Sequence, residues 1–126
     1  MSTPEDLRYS NDHEWARLEG DLVRIGITDY AQDALGDVVY VQLPAVGAAV
    51  VARDSIAEVE STKSVSDIFA PLTGTVVAVN DVLTDSPDLV NTEPYGSGWL
   101  FEIQLTDAAE YDSLMTAAQY DAFVAG

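Results

Sequence analysis

The sequence contains no cysteine and only one histidine, His13. Without cysteine the chain cannot form a structural disulfide, a thiolate metal site or a cysteine nucleophile, and the absence fits a reducing cytoplasm. One histidine cannot supply a histidine-rich metal site. Because His13 stands close to Trp15 in the sequence, we interpret it as a structural residue rather than a catalytic one.

Positive charge is scarce. The 126 residues include five Lys and Arg against 22 Asp and Glu, for a formal net charge of −17. Binding of nucleic acid depends on Lys and Arg that neutralise phosphates, so this balance argues against nucleic acid and anionic membranes as partners. Salt screens the self-repulsion of such a charge. We therefore interpret the composition as adaptation to high internal salt, with an acidic protein of an ordinary cytoplasm as the alternative.

Long apolar runs and nucleotide-binding motifs are also missing. No apolar stretch is long enough to span a membrane, and no basic start is followed by an apolar segment. No phosphate loop or dinucleotide fingerprint is present. The length fits a single domain over residues 1–126 with a modest core. We expect a soluble, cytoplasmic monomer that acts as a carrier or binding module rather than as an enzyme.

Lysine occurs once, as Lys63. On both sides of it, β-branched and aromatic residues are interspersed with polar ones, which predicts two strands. Residues 61–64 form a short polar segment, as a hairpin turn does. We therefore predict a β-hairpin over residues 55–71 with Lys63 at its tip. An amine held out on a turn is a target for acylation, so we interpret Lys63 as a modification site rather than as an ordinary surface lysine.

The remaining patterns predict a mainly β fold. Strands are expected near residues 15–18, 22–27, 36–43, 74–79 and 99–105, with turns over 80–94. A short helix is expected from Thr28 or Asp29 to Leu35, ended by Gly36. The pattern G-x-V-V-x-V occurs at 36–41 and again at 74–79, on either side of the hairpin. Two similar halves indicate a flattened, two-layered β-barrel with rough two-fold symmetry.

The end of the chain, residues 107–125, has the spacing of helices. Asp107 with Glu110, and Thr116 with Gln119, fit the capping box, in which each side chain bonds a backbone amide at the start of a helix. Four apolar residues recur at helical spacing and are expected to pack on the barrel, namely Leu114, Tyr120, Phe123 and Val124.

Several segments, in order and with matching spacing, resemble the H protein of the glycine cleavage system. They are ESTKSVSDIFAPLTGTVVAVN at 60–80, DHEW at 12–15, IGITDYAQDALGDV at 25–38, LP at 43–44, NTEPY at 91–95 and GWL at 98–100. The likeness runs from about Tyr9 to the final helical segment. It implies the barrel-sandwich hybrid fold of lipoyl- and biotinyl-carrier domains.

The resemblance implies that Lys63 carries lipoate in amide linkage and that a lipoate-attaching enzyme reads the shape of the hairpin. Glu60, three residues before the lysine, and Gly74, eleven residues after it, occupy the family positions that matter for this recognition. A glycine at position 74 would also permit a turn that a side chain obstructs.

The function that this resemblance implies is shuttling. The carrier would take an aminomethyl group from a pyridoxal-phosphate glycine decarboxylase to a folate-dependent aminomethyltransferase. It would then pass electrons to dihydrolipoamide dehydrogenase. The carrier itself would have no active site.

Two carboxylates, Glu14 and Asp67, resemble those that face a cleft for the loaded arm in this family. A carboxylate there would stabilise the positive amine of the aminomethyl group. The alternative is that they are two ordinary surface acids among 22. The chain departs from the family pattern at Ser64, where alanine is frequent, and at Asp12, where serine is common. Asp12 adds charge near the expected cleft.

Other kinds of protein remain as alternatives. A lipoyl domain of a 2-oxoacid dehydrogenase usually has Asp-Lys-Ala and a flexible tether, whereas this chain has Thr62, Lys63 and Ser64. A biotin carrier flanks its lysine with methionines, which do not occur nearby. An unmodified H-like scaffold protein is a further alternative. A Schiff-base lysine of an enzyme needs a desolvated amine in a pocket, which a hairpin tip does not provide.

Overall fold

The structure, a computed structural model, describes residues 3–125. That part of the chain forms nine strands and five helices. The strands are β1 (Arg8–Tyr9), β2 (Glu14–Glu19), β3 (Leu22–Ile27), β4 (Val38–Gln42), β5 (Ala49–Val50), β6 (Ser55–Ser61), β7 (Val65–Phe69), β8 (Gly74–Val79) and β9 (Phe101–Leu105). The helices are α1 (Asp29–Leu35), α2 (Val82–Asp85), α3 (Leu89–Thr92), α4 (Ala109–Asp112) and α5 (Ala117–Ala125).

The strands form two antiparallel sheets. The larger sheet has the order β1-β2-β3-β9-β8-β5, and the smaller sheet has the order β4-β6-β7. The mainly β, two-layered fold predicted from the sequence is therefore confirmed. The layers are separate sheets, and the strands of residues 3–125 do not close into a barrel.

The main core lies between the two sheets. Val41 and Val59 of the smaller sheet share one buried cluster with Ile25, Val76 and Ile103 of the larger sheet. Along most of these strands, buried residues alternate with less buried ones, because successive side chains of a strand point to opposite faces. Burial of these apolar side chains holds the sheets together.

A second buried cluster attaches the C-terminal helix. Tyr120 of α5 stacks on Tyr9 of β1, with ring centroids 4.8 Å apart. Both rings pack with Leu7, Trp15 and Ala117. Helix α5 therefore packs against β1, the strand at one edge of the larger sheet.

Helix α1 begins and ends where the sequence predicts. Thr28 Oγ1 accepts a hydrogen bond of 3.2 Å from the Ala31 backbone N–H, which makes Thr28 the N-cap. Gly36 follows the helix with φ +83° and donates its N–H to the Gln32 carbonyl at 3.1 Å. A positive φ at this position favours glycine.

The internal repeat has a structural counterpart. Its first copy contains β4 in the smaller sheet, and its second copy contains β8 in the larger sheet. The register of β4 against β6 shifts between Val38 and Tyr40, and that of β8 against β9 shifts between Val76 and Ala78. These are equivalent positions of the repeat. The two copies thus share a strand irregularity as well as a sequence, which supports the predicted pseudo-symmetry.

Of the two predicted capping boxes, one is present. Thr116 and Gln119 exchange hydrogen bonds of 2.9 and 3.3 Å between side chain and backbone. The Glu110 carboxylate instead accepts from the Thr73 backbone N–H at 2.9 Å and from its hydroxyl at 3.1 Å. The predicted box of Asp107 with Glu110 is therefore wrong, because a tertiary contact takes the Glu110 carboxylate.

Two further expectations are corrected by the structure. Residues 80–94 contain the one-turn helices α2 and α3 rather than turns alone. Phe123 is 45% exposed, whereas Leu114, Tyr120 and Val124 belong to or pack against the buried clusters. Helical spacing therefore identified three residues that pack in or against the buried clusters, whereas Phe123 is half-exposed with its ring near those of His13 and Tyr120.

Candidate functional site

Lys63 lies at the tip of the β6–β7 hairpin, as predicted. The two strands are paired up to Glu60 and Val65. Beyond that pair, the Ser61 N–H donates to the Ser64 carbonyl at 2.8 Å. Ser61 Oγ accepts from the backbone N–H groups of Lys63 and Ser64, at 3.3 and 3.1 Å. Ser61 therefore fixes the backbone of the turn, while the Lys63 side chain is exposed.

The tip of the hairpin rests on the residues that follow α1. The Thr62 N–H donates to the Asp37 carbonyl at 3.0 Å. The stem of Lys63 passes close to Gly36, since a Cβ atom built on that glycine would lie 3.2 Å from Lys63 Cε. The lack of a side chain at position 36 thus leaves room for the lysine stem.

Asn91, in α3, bonds to the residues that follow α1. Its Nδ2 donates to the Gly36 carbonyl at 2.8 Å and to Gln32 Oε1 at 3.0 Å. Its Oδ1 accepts from the Val38 N–H at 2.8 Å. Sequence reasoning gave Asn91 no role. The only signal was its place in the NTEPY motif, because its bonding partners lie more than 50 positions away in the chain.

A cleft of about 310 Å³ opens beside the lysine turn, between α1 and β7. Two carboxylates line it, Asp67 and Asp12, together with Ser64 next to the lysine. The rest of the lining is mostly apolar or aromatic and consists of His13, Ile27, Tyr30, Ala31, Ala34, Leu35, Ser66 and Ile68. A larger cavity of about 550 Å³, lined in part by Arg53 and Glu110, includes no residue of the lysine turn.

Glu14 lies behind this surface, with its side chain only 1% exposed. Its carboxyl group accepts from the Ser10 hydroxyl at 2.6 Å and from the Phe69 N–H at 3.3 Å. Burial raises the pKa of Glu14 to about 8, against the opposing effect of these two hydrogen bonds. The expectation that Glu14 faces the cleft is corrected, because its oxygens are satisfied inside the protein. Glu14 instead connects β2 of the larger sheet with β7 of the smaller one.

His13 connects the cleft to the C-terminal helix. Its Nδ1 lies 2.8 Å from the Tyr120 hydroxyl, which also lies 2.8 Å from Thr28 Oγ1. Its ring centroid is 4.9 Å from that of Tyr30. Burial lowers the pKa of His13, although Asp12 opposes this shift. These contacts support the interpretation of His13 as a structural residue.

Glu60 and Gly74 lie in different sheets. Glu60 is paired with Tyr40 on one side and Val65 on the other, on the outer face of the smaller sheet directly below the lysine turn. Gly74 begins β8, and a Cβ atom there would come within 2.1 Å of the Gln104 carbonyl oxygen. Gly74 has no positive φ, so the turn expected there is wrong. The close approach of β9 is what requires glycine.

Residues 3–125 contain no group of three or more His, Asp or Glu side chains placed to hold a metal ion. In the same part of the chain, no helix combines the length and the apolar character needed to cross a membrane. What the site does contain is an exposed amine on a fixed turn beside a largely apolar cleft. This arrangement suits covalent attachment of a long acyl group, whereas a Schiff-base lysine must be desolvated.

Known proteins with similar sequences and structures agree with the resemblance. The family model described as glycine cleavage H-protein matches residues 7–126. The glycine cleavage system H protein of Mycobacterium avium (strain 104) is 61% identical over 115 residues, covering 90% of this chain and 87% of its own length. That of Geobacillus kaustophilus (strain HTA426) is 52% identical over 124 residues, covering 98% of each. The crystal structure of a glycine cleavage system H protein from Mycobacterium marinum matches with a TM-score of 0.89 and 46% identity, over 98% of this chain and 99% of that one.

Proposed function

This chain belongs to the glycine cleavage H-protein family, and on that premise we propose that it is a lipoyl carrier with Lys63 as the attachment residue. The observation that carries the proposal is that the only lysine of the chain is exposed at the tip of a hairpin with a fixed backbone. A partner enzyme can reach an amine in that position. Acylation would convert the ammonium into a neutral amide and leave the protein one charge more negative than −17.

The proposed role of the protein is to present one arm to several enzymes in turn. When attached, lipoate would supply a disulfide that accepts an aminomethyl group and is left as a dithiol. We propose that a pyridoxal-phosphate glycine decarboxylase loads the arm and that a folate-dependent aminomethyltransferase unloads it. Dihydrolipoamide dehydrogenase would then take the electrons. The chain supplies display and docking surface, and we propose no catalytic residue in it.

The cleft beside Lys63 suits a role in sheltering the loaded arm. Its apolar lining would exclude water from an alkyl chain, and Asp67 and Asp12 place negative charge where a positive amine would lie. Glu14 would act from behind this surface. Since its pKa is raised to about 8, a cation bound nearby would favour its ionised form.

Retention of the aminomethyl group tests the cleft. We expect Asp67→Asn to release ammonia and formaldehyde from the loaded protein faster than wild type, because the cation loses a carboxylate. Asp12→Asn should add to the effect, and Glu14→Gln should give a smaller one. Asp85→Asn is the matched control, since Asp85 is exposed on α2 and does not line the cleft. Equal release from the Asp67 and Asp85 variants would refute the sheltering role.

The enzyme that accepts the lipoylated protein as its substrate distinguishes the glycine cleavage system from the alternatives. The lipoylated protein should support exchange of labelled bicarbonate into glycine by glycine decarboxylase, and Lys63→Arg should not. Reductive acylation by a 2-oxoacid dehydrogenase in place of this exchange would support the alternative of a 2-oxoacid dehydrogenase lipoyl domain. Exchange that is equally fast with the unmodified protein would support a scaffold role.

We propose that Glu60 contributes to recognition by the lipoate-attaching enzyme, because it lies on the outer sheet face next to the lysine turn. Glu60→Gln should lower kcat/KM for attachment without loss of stability. Glu58→Gln, one step further down the same strand face, is the matched control. Gly74 is a weaker test of recognition, since its substitution disturbs the contact with β9.

A further inference from the structure

Residues 36–38, which we call the support turn, carry the tip of the lysine hairpin. We infer that Asn91, which holds this turn, is a positioning residue for Lys63. The functional consequence rests on the proposed role of Lys63 as the attachment residue. The geometric part does not depend on that role.

One side chain holds the support turn at both ends. Asn91 Nδ2 donates to the carbonyl of Gly36, the first residue of the turn, at 2.8 Å. Asn91 Oδ1 accepts from the N–H of Val38, the last residue, at 2.8 Å. A further bond of 3.0 Å to Gln32 Oε1 orients the amide group, because it occupies the second Nδ2 hydrogen.

The support turn also holds the tip of the lysine hairpin. Asp37, between the two anchored residues, accepts the 3.0 Å hydrogen bond from the Thr62 N–H. The residue after Thr62 is Lys63, whose stem passes over the bare Cα of Gly36. Any movement of the turn therefore changes the position of the lysine stem and the backbone bond that fixes the tip.

The support turn needs an external restraint because it begins with glycine. Gly36 has φ +83° and ψ −160°, a conformation that is essentially restricted to glycine. The residue that can adopt this conformation can also leave it easily, since glycine has few steric limits. Without Asn91, the Gly36 carbonyl and the Val38 N–H would lose their partner, and the turn would be free to relax.

Asn80 supplies a matched control. Its Nδ2 donates to the carbonyls of Ser97 and Trp99 at 2.7 and 2.8 Å, and the residue is buried. Among the described residues, its side chain bonds neither to the support turn nor to the hairpin. Asn80→Ala thus removes the same kind of interaction without reaching Lys63.

The single lysine permits a direct test of the geometry in the unmodified protein. With isotopically labelled lysine, the ε-methylene group of Lys63 gives one signal to follow. We expect a nuclear Overhauser contact between this group and the Gly36 α-protons in wild type and in Asn80→Ala. The contact should be lost in Asn91→Ala. If Asn91→Ala retains it, the inference is overturned.

Kinetics of lipoate attachment supply the second readout. Asn91→Ala should reduce kcat/KM about tenfold more than Asn80→Ala at equal folded fraction, within the roughly 100-fold that a misplacement of about 1 Å can cost. Should Asn91→Ala fail to fold, Asn91→Asp retains the acceptor for Val38 and loses both donors, and it should give the same direction of change. Equal rates for the Asn91 and Asn80 variants would overturn the inference. A wild type that shows the contact but is never acylated would support the geometry and refute the attachment role of Lys63.

Discussion

The two copies of the G-x-V-V-x-V repeat begin with glycines that the fold requires for different reasons. At Gly36 the backbone has a positive φ, and the atom nearest to an added Cβ is Cε of the flexible Lys63 stem, at 3.2 Å. At Gly74 the backbone is ordinary, and a Cβ atom would meet the Gln104 carbonyl of the adjacent strand at 2.1 Å. The same motif position therefore leaves room for the Lys63 stem just before β4 in one copy and for the Gln104 carbonyl at the start of β8 in the other. Which role applies is decided by the contacting residue, and the motif alone does not reveal it.

The largest effect is expected at the second copy. Gly74→Ala should destabilise the protein by about 3 kcal/mol, because the added methyl group overlaps a backbone carbonyl that cannot move alone. Urea unfolding measures this loss. The control is Gly96→Ala, where the nearest atom is a Glu93 side-chain oxygen at 3.5 Å, and the expected change is within about 0.5 kcal/mol. Equal stability of the Gly74 and Gly96 variants would show that the close approach of the Gln104 carbonyl does not require glycine.

The first copy should respond differently. Gly36→Ala should cost about 1–3 kcal/mol, because alanine is strained in this backbone conformation, and it should also displace the Lys63 stem and slow lipoate attachment. Gly47 is the matched control, since it has φ +94° and nothing within 4 Å of an added Cβ. Gly47→Ala should lose similar stability in urea and keep the wild-type rate of attachment. Slow lipoate attachment in the Gly47 variant would show that backbone strain alone explains the slow attachment expected for Gly36→Ala.

Glu14 connects the two sheets that contain the copies of the repeat. Its titration should change the free energy of unfolding with pH. Its folded pKa is raised to about 8 from an ordinary value of 4.5. The contribution of the protonated Glu14 carboxyl to folding stability is therefore fully present below pH 4.5 and is lost as the pH rises through 8. Relative to Glu14→Gln, the wild type should lose stability steadily as the pH rises across this window. Urea unfolding from pH 5 to 8.5 measures the difference, and parallel pH profiles would contradict it.

Added salt should stabilise the whole fold, and this is the smallest of the expected effects. The net charge of −17 repels itself, and the screening length falls from about 30 Å at 0.01 M salt to about 3 Å at 1 M. We propose on this basis that the protein is adapted to a salt-rich cytoplasm. The Tm should rise by several degrees between dilute buffer and about 1 M potassium chloride, since a gain of ~1 kcal/mol corresponds to roughly 3–6 °C in a domain of this size. An unchanged Tm would contradict the adaptation.

Features fixed by neighbouring residues could be predicted from the sequence. The lysine hairpin, the Thr28 cap of α1 and the Thr116–Gln119 capping box each depend on residues a few positions apart. The position of Lys63 at a turn followed from the same local pattern. These interactions are short-range, so periodicity and capping rules describe them well.

Features fixed by distant residues could not be predicted in this way. Glu110 fits a capping box locally but bonds Thr73, 37 positions away. Glu14 was expected from the sequence to face the cleft, but it is buried and bonds the Phe69 N–H, 55 positions away. The role of Asn91 depends on three partners from another part of the chain. Tertiary contacts decide these cases, and sequence spacing carries no information about them.

Attachment of lipoate to one exposed lysine on a fixed hairpin is the step on which the proposed function depends. Its most direct test is the intact mass of the protein produced together with a lipoate-attaching enzyme and lipoate. Wild type should gain the mass of one lipoyl group, located on the peptide that contains Lys63, and Lys63→Arg should gain none. A wild type that stays unmodified, or a Lys63→Arg variant that still gains the group, would contradict the account.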